Sequence, residues 1–331
     1  MTRRAFALPA ALVAACRTAR QQLHPVVRIA LGSRAAFDFI PVYLAAALGF
    51  FRDEGLNVSL QDVASTSKAV EALLGGSADV ITGGYDAAIQ MSIEGRFIES
   101  IAVLERWPPL SLVVAPQFAS SIHTIGDLKG HLVGVSSPGT SGHRFLNSLL
   151  ARNGLSPSDI APVGVGGGFS MAAAVRHGKV AAAVATTLAL ALLSKESSPA
   201  VLADCRTQRG AEATLGTSVL PWSSLMVNAE WARSHGEAAR RLGRATRRSL
   251  DWIQAHSPED ITRSIPQEYK GEDSLLCLAA VRDIRPAFSP DGLMAPEGPA
   301  NVQRFIGVSD PRARTQIDLS KTYTNEFIQS K

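Results

Sequence analysis

The chain has 331 residues, of which 46% are hydrophobic; that is too much apolar material for one small core and enough for two domains of ordinary size. A net charge of +4 is mild at this length, and no recognisable nucleic-acid module accompanies it, which argues against a nucleic-acid partner. The cysteines, Cys16, Cys205 and Cys277, have no paired spacing, which speaks against a disulfide framework or a metal site.

The N-terminus reads as an export segment. Met1 to Arg4 is short and positive, Ala5 to Ala15 is apolar, and Val13-Ala14-Ala15-Cys16 fits the small-residue pattern cut before an acylated cysteine. Cys16 is therefore the expected lipid attachment point. Thr2-Arg3-Arg4-Ala5-Phe6 also resembles a twin-arginine signal, and a disordered start or a buried helix is the alternative. Residues 17 to 25 are polar and end in Pro25, so residues 1–25 are taken as signal and tether. No later stretch reaches the ~20 apolar residues that a membrane span needs.

From Val26 the pattern alternates strand, loop and helix. Val26 to Leu31 is the first strand, followed by a loop through Gly32, Ser33, Arg34 and Phe37 to Phe39. Pro41 opens a helix that stops at Gly49. Leu56 to Leu60 is a second strand, Ala64 to Ser67 a polar loop, Lys68 to Leu74 a helix, and Asp79 to Thr82 a third strand leading into Gly83-Gly84-Tyr85-Asp86. Repetition of this order indicates a parallel sheet.

The order recurs later. Strand Leu132 to Val135, the loop Ser136 to Gly142, a helix to Asn153 and strand Pro162 to Val165 mirror residues 27 to 60, and Ala174 to Leu188 can be laid over Ala72 to Asp86. Between the halves, Ser100 to Val114 is strand-like but broken by Trp107-Pro108-Pro109. An irregular polar region is expected after residue 194, then a strand at Ser223 to Val227, the long helix Ala229 to Ala255, and a weakly helical tail beyond Pro286. Arg240, Arg241, Arg244, Arg247 and Arg248 fall on that helix as its solvated face. The expected organisation is a discontinuous first lobe, residues 26–111 and 223–331, with a second lobe, 112–222, inserted.

Within it, Pro41 to Val58, with its Gly-aromatic turn and Glu54-Gly55-Leu56-Asn57-Val58, the Gly76-Ser77-Ala78-Asp79-Val80 turn, Ile125 to Gly130 and Gly178 to Ala182 together resemble the solute-binding proteins of ABC importers. The family in question carries nitrate, aliphatic sulfonates and taurine and includes the thiamine-pyrimidine-precursor binders. The resemblance implies a two-lobed α/β periplasmic-binding-protein fold, each lobe a mostly parallel sheet flanked by helices. It further implies a monomer in the periplasm or cell envelope that closes on a small anionic or heterocyclic solute and delivers it to a membrane permease, with no cofactor.

Ligands of open α/β sheets bind beyond the carboxyl ends of strands. The loops at those positions supply Ser33, Arg34 and Phe37; Ser65, Thr66 and Ser67; Gly84, Tyr85 and Asp86; and Trp107 from the crossover. The second lobe supplies Ser137, Thr140, Ser141, Gly142 and His143, then Gly167 and Gly168, then Thr186 and Thr187. Asp86 and Ser67 serve equally well as helix caps, His143 as a solvated first-turn residue, and Tyr85 and Trp107 as packing.

Two other functions compete. Gly168-Phe169-Ser170-Met171-Ala172 is a loose echo of a hydrolase elbow but comes with no distinctive histidine partner, and Gly164 to Phe169 fails the dinucleotide pattern because Phe169 stands at the third glycine. The dispersed cysteines do not supply the cysteine-rich motif of the family's eukaryotic enzymes, so no catalytic residue is expected. A ligand sensor signalling to a membrane partner would use the same lobes.

Overall fold

The computed structural model describes residues 26–329 apart from 33–36, 64, 197, 271–272 and 316. The export segment with Cys16, and the loop residues Ser33 and Arg34, lie outside the described residues. The strands, in chain order, are β1 Val26–Leu31, β2 Asn57–Asp62, β3 Val80–Gly84, β4 Ile98–Val103, β5 Ser111–Val114, β6 Leu132–Val135, β7 Ala161–Gly164, β8 Ala182–Ala185, β9 Ala200–Asp204 and β10 Ser223–Asn228.

They form two five-stranded sheets, ordered β2-β1-β3-β10-β4 and β7-β6-β8-β5-β9. In the first, β1 runs parallel to β2 and β3 while β10 lies antiparallel between β3 and β4. In the second, β6 runs parallel to β7 and β8 while β5 lies antiparallel between β8 and β9. The two orders are equivalent. The sequence repeat accounts for three strands of each sheet, β1 to β3 and β6 to β8; the chain supplies the antiparallel strand each time by crossing over.

Local chemistry sets the ends of the helices. Pro41 occupies the first turn of the Ile40–Ala47 helix, and Gly49, at φ 79°, turns the chain just beyond it. Ser65 caps Thr66–Leu74 by accepting from Lys68 N, and Thr140 caps Ser141–Arg152 by accepting from His143 N. On the latter helix Phe145, Leu146, Leu149 and Leu150 are buried at helical spacing, each contributing about 1.5–3 kcal/mol of burial.

Two segments join the sheets side by side. In them, Trp222 N donates to Glu105 O and Leu220 N to Arg106 O, both at 2.9 Å. Trp107 is buried here, with the Arg106 guanidinium 4.6 Å from its ring centroid.

The region after residue 194 is more ordered than expected: it holds edge strand β9 and the helix Gln208–Leu215, capped by Thr207 and ended by Gly216 at φ 76°. The edge strand leaves Ala200 and Val201 exposed and the short helix buries only Ala211 and Leu215, so neither shows the periodic burial of a central element. The stretch 229–255 is two helices, Ala229–Ser234 and Gly236–Ala255; Asn228 caps the first through bonds from Glu230 N and Trp231 N. The tail contains a further helix, Gly298–Gly307.

The arginine face of Gly236–Ala255 is not simply solvated. Arg244 and Arg248 reach Glu54 and Asp53 in the turn after the first helix, and Arg240 reaches Glu326. This face therefore fastens the long helix to two other parts of the chain.

Candidate ligand cleft

A cavity of ≈ 220 Å³ opens between the sheets, at the carboxyl ends of β1, β3, β6 and β8. That is below the roughly 300 Å³ at which drug-sized pockets begin, so it suits a small solute. Neutral hydroxyls and glycines dominate its wall.

Three helices of the second sheet aim their N-termini at this space: Ser141–Arg152, Gly168–Arg176 and Thr187–Glu196. Unpaired amides and the positive end of each helix dipole favour the acceptor or anionic end of a ligand. The Thr140 hydroxyl is held by Ser137 O at 2.7 Å and lies 3.2 Å from Ser136 Oγ. The Gly167 Cα faces open space, so a ligand can come close to the backbone there.

Of the residues proposed from sequence, Ser65, Thr66, Gly84, Ser137, Thr140, Ser141, Gly142, Gly167, Gly168 and Thr186 line this cavity together. Ser67 faces a neighbouring cavity that shares Thr66, Thr140 and Ser141 with the first. Phe37 and Thr187 are buried in the packing, as is Trp107. Tyr85 is buried and its hydroxyl bonds to Thr322. His143 sits half-buried in the first helical turn, where its Nδ1 accepts from Gly139 N at 3.0 Å; burial and the nearby Arg144 lower its pKa.

Asp86 takes a different part. It is buried, and its carboxylate crosses from the first sheet's side to the second: Oδ1 accepts from Ser141 Oγ at 2.7 Å and Oδ2 from Arg144 Nε. Arg144 also donates to Gly139 O at 2.7 Å. Gly84 permits the approach, since a Cβ there would collide with Ser141 Oγ and Asp86 Oδ1. Together these groups clasp the two sides of the cleft.

The sequence reading missed several lining residues: Gly32, Asp38, Phe39, Leu110, Ser136, Gly166, Val184, Trp222 and Ser223. Trp222 meets Phe145 and Phe305 edge to face, at 6.5 and 6.1 Å between centroids. Asp38 had one visible signal, a charge set between two phenylalanines at Phe37-Asp38-Phe39. Among the described lining residues it is the one charged side chain. Behind it Glu105 is fully buried, with Oε2 accepting from Ser223 Oγ at 2.7 Å. Burial pushes Asp38 up to about 6. Burial first, and then the charge of Asp38, push Glu105 well above the usual carboxylate range.

Among the described residues no group of three or more His, Cys, Asp or Glu is arranged to hold a metal, and no helix is long and apolar enough to cross a membrane. Residues 36–260 match the family model described as NMT1/THI5 like. The chain belongs to the NMT1/THI5-like family. A solved structure from Bordetella bronchiseptica RB50 is 30% identical, with TM-score 0.85 over 92% of this chain and 96% of that one. The periplasmic aliphatic sulphonate binding protein SsuA of Escherichia coli is 20% identical, with TM-score 0.69 over 89% and 91%. The periplasmic nitrate-binding protein NrtA of Synechocystis PCC 6803 is 14% identical, with TM-score 0.70 over 92% and 87%. The two-sheet architecture is thus the periplasmic-binding-protein fold expected from the sequence.

Proposed function

We propose that the protein captures a small anionic or heterocyclic solute by closure of two lobes, residues 26–111 with 223–331 and residues 112–222, and delivers it to a membrane permease. The observation that carries this reading is the cleft itself, where strand ends and helix N-termini from both sheets converge and the Asp86 carboxylate bridges to Ser141 and Arg144. Hinge closure around a ligand needs a few connecting segments that can bend, and the paired crossovers at 104–110 and 216–222 suit that part. The sulphonate- and nitrate-binding neighbours support an oxyanion for the end held by the helix N-termini, and Trp222 would suit a flat ring. The work asked of the site is holding and releasing a solute, so no catalytic residue is assigned. Export through residues 1–25, with Cys16 as lipid anchor, completes the reading, as does a monomer that meets the membrane through that anchor and its permease.

The test is a thermal-shift and calorimetric screen of sulfonates, nitrate, pyrimidines and aromatic acids, with small-angle scattering of the best binder. A ligand at a hundredfold excess over its dissociation constant stabilises the native state by about 2.7 kcal/mol. Binding accompanied by a smaller radius of gyration is the expected result. Substrate turnover without such binding would overturn the proposal.

A further inference from the structure

The two sheets are bridged on both of their faces, and the bridges differ in kind. Along β1, Ile29 and Leu31 belong to one hydrophobic core and Ala30 to the other, as the alternation of a strand requires. The first core holds the helix Ser274–Ile284, which lies in the C-terminal part of the chain yet packs along Thr187–Glu196 on the second sheet. Leu276, Ala280 and Ile284 are buried there in the same core as Leu190 and Leu193. Ion pairs fasten both ends of the helix to the second sheet's side: Lys195 Nζ donates to Asp273 and Arg206 Nη1 to Asp283, each at 2.8 Å. Separating this face would expose a continuous apolar surface to water.

The opposite face is polar and hollow. Trp222 fills the space beside the crossovers, between Phe145 and Phe305. Beyond it the two sides meet through Asp86, Ser141 and Arg144. When such a contact opens, both charges regain water, which offsets the loss of the pair. Against Arg144 lies a second cavity, of ≈ 470 Å³, with Val70 and Met91 from the first sheet's helices in its wall. It shares Thr66, Thr140 and Ser141 with the ligand cleft, so these three hydroxyls form a throat between the two spaces. The outer cavity is the larger of the two, and a solute that fits the cleft also fits here.

We infer that the cleft opens on one face only: the helix Ser274–Ile284 straps the lobes together on the first face, and the solute enters and leaves on the other, through the ≈ 470 Å³ cavity, with the Asp86–Arg144 pair as its gate. The inference rests on the lobe-closure reading given above and adds the direction of the movement and the path of the solute. It divides the contacts between the lobes into a permanent set, held by apolar packing, and a transient set, made of polar groups that water can replace.

The experiment uses the full chain with Cys16→Ser, its buried Cys205 and Cys277 kept, and spin labels on pairs of exposed positions. Lys68→Cys with Ala151→Cys spans the gated face, and Ser194→Cys with Leu275→Cys spans the strap. Label-to-label distances are measured without ligand and with the tightest binder from the sulfonate, nitrate, pyrimidine and aromatic-acid screen. Binding should shorten the first distance and leave the second unchanged. Met91→Trp narrows the outer cavity without touching the lining of the cleft. It should slow association and dissociation at least fivefold each in stopped flow, with the equilibrium affinity within twofold; Gln90→Trp, in the same wall, replaces it if it does not fold. A second distance that changes together with the first, or rates equal to the parent's in a folded Trp variant, would overturn the inference and leave solute capture by closure intact. Binding with neither distance changed overturns closure itself, and a screen without any binder overturns the solute-binding reading; the one-sided opening falls with either.

Discussion

The Asp86 carboxylate and the Arg144 guanidinium pair directly across the cleft, with exposures of only 4% and 14%. Removing one partner of a buried pair leaves the other charge uncompensated and typically costs about 3–5 kcal/mol. Arg144→Ala should therefore lower the unfolding free energy measured by urea melts by that order. It should also weaken whatever solute the screen identifies, because the clasp joins both sides of the site. Unchanged stability and affinity in the variant would show that the pair does not hold the lobes.

Gly84 tests the same closure by shape. Its added Cβ in Gly84→Ala would collide with Ser141 Oγ and Asp86 Oδ1. The expected outcome is a fall in ligand affinity of tenfold or more with native far-UV circular dichroism, since the clash lies between the two sides and leaves each sheet's hydrogen-bonded ladder alone. An affinity equal to that of the parent would mean that the clasp is dispensable for binding.

The loop at 136–142 can be removed from the site by a milder change. Thr140→Ala with Ser141→Ala takes away the cap on His143 N and the bond to Asp86. The cap alone is worth about 1 kcal/mol of stability. Affinity should drop at least fivefold in calorimetry; a double variant that binds as the parent does would take these hydroxyls out of the ligand site.

Asp38 gives the apo protein a defined pH dependence. Its carboxyl is raised from 3.8 to about 6 by burial, so between those pH values the folded chain holds a proton that the unfolded chain has lost. Stability contributed by that proton is present at low pH and falls as pH rises through the window. Asp38→Asn abolishes this loss and should stabilise the apo protein at pH 7.5 relative to pH 5 by on the order of 1–2 kcal/mol. Urea melts at the two pH values check it, and an unaltered difference between them in the variant would contradict the assignment.

How much of this could be read from the chain alone depends on how local the cause is. Strand β1 was legible from its apolar run, and the Ser141–Arg152 helix from Phe145, Leu146, Leu149 and Leu150 after the loop Ser136 to Gly142. Ten of the proposed contacts line one cavity because strand-to-helix loops fall at the same end of a parallel sheet whatever the details of packing. Trp107 and Tyr85 were ambiguous because an aromatic beside a loop reads the same whether it fills a core or faces a ligand. Edge strand β9 escaped because it buries little. The paired helices at 229–255 read as one because their break at His235 leaves the apolar spacing nearly continuous.

The sequence by itself determined most of the elements, their order, the repeated half-sheets and the loops that meet at the cleft, since caps, turns and periodicity act over a few residues. Tertiary structure alone decided that Asp86 would bridge to Arg144 and that Asp38, Glu105 and Ser223 would come together at one wall. Those contacts join residues 58 apart in the first case and, for Glu105 and Ser223, 118 apart. They depend on where β10 returns and how the two sheets face each other, which no local pattern encodes.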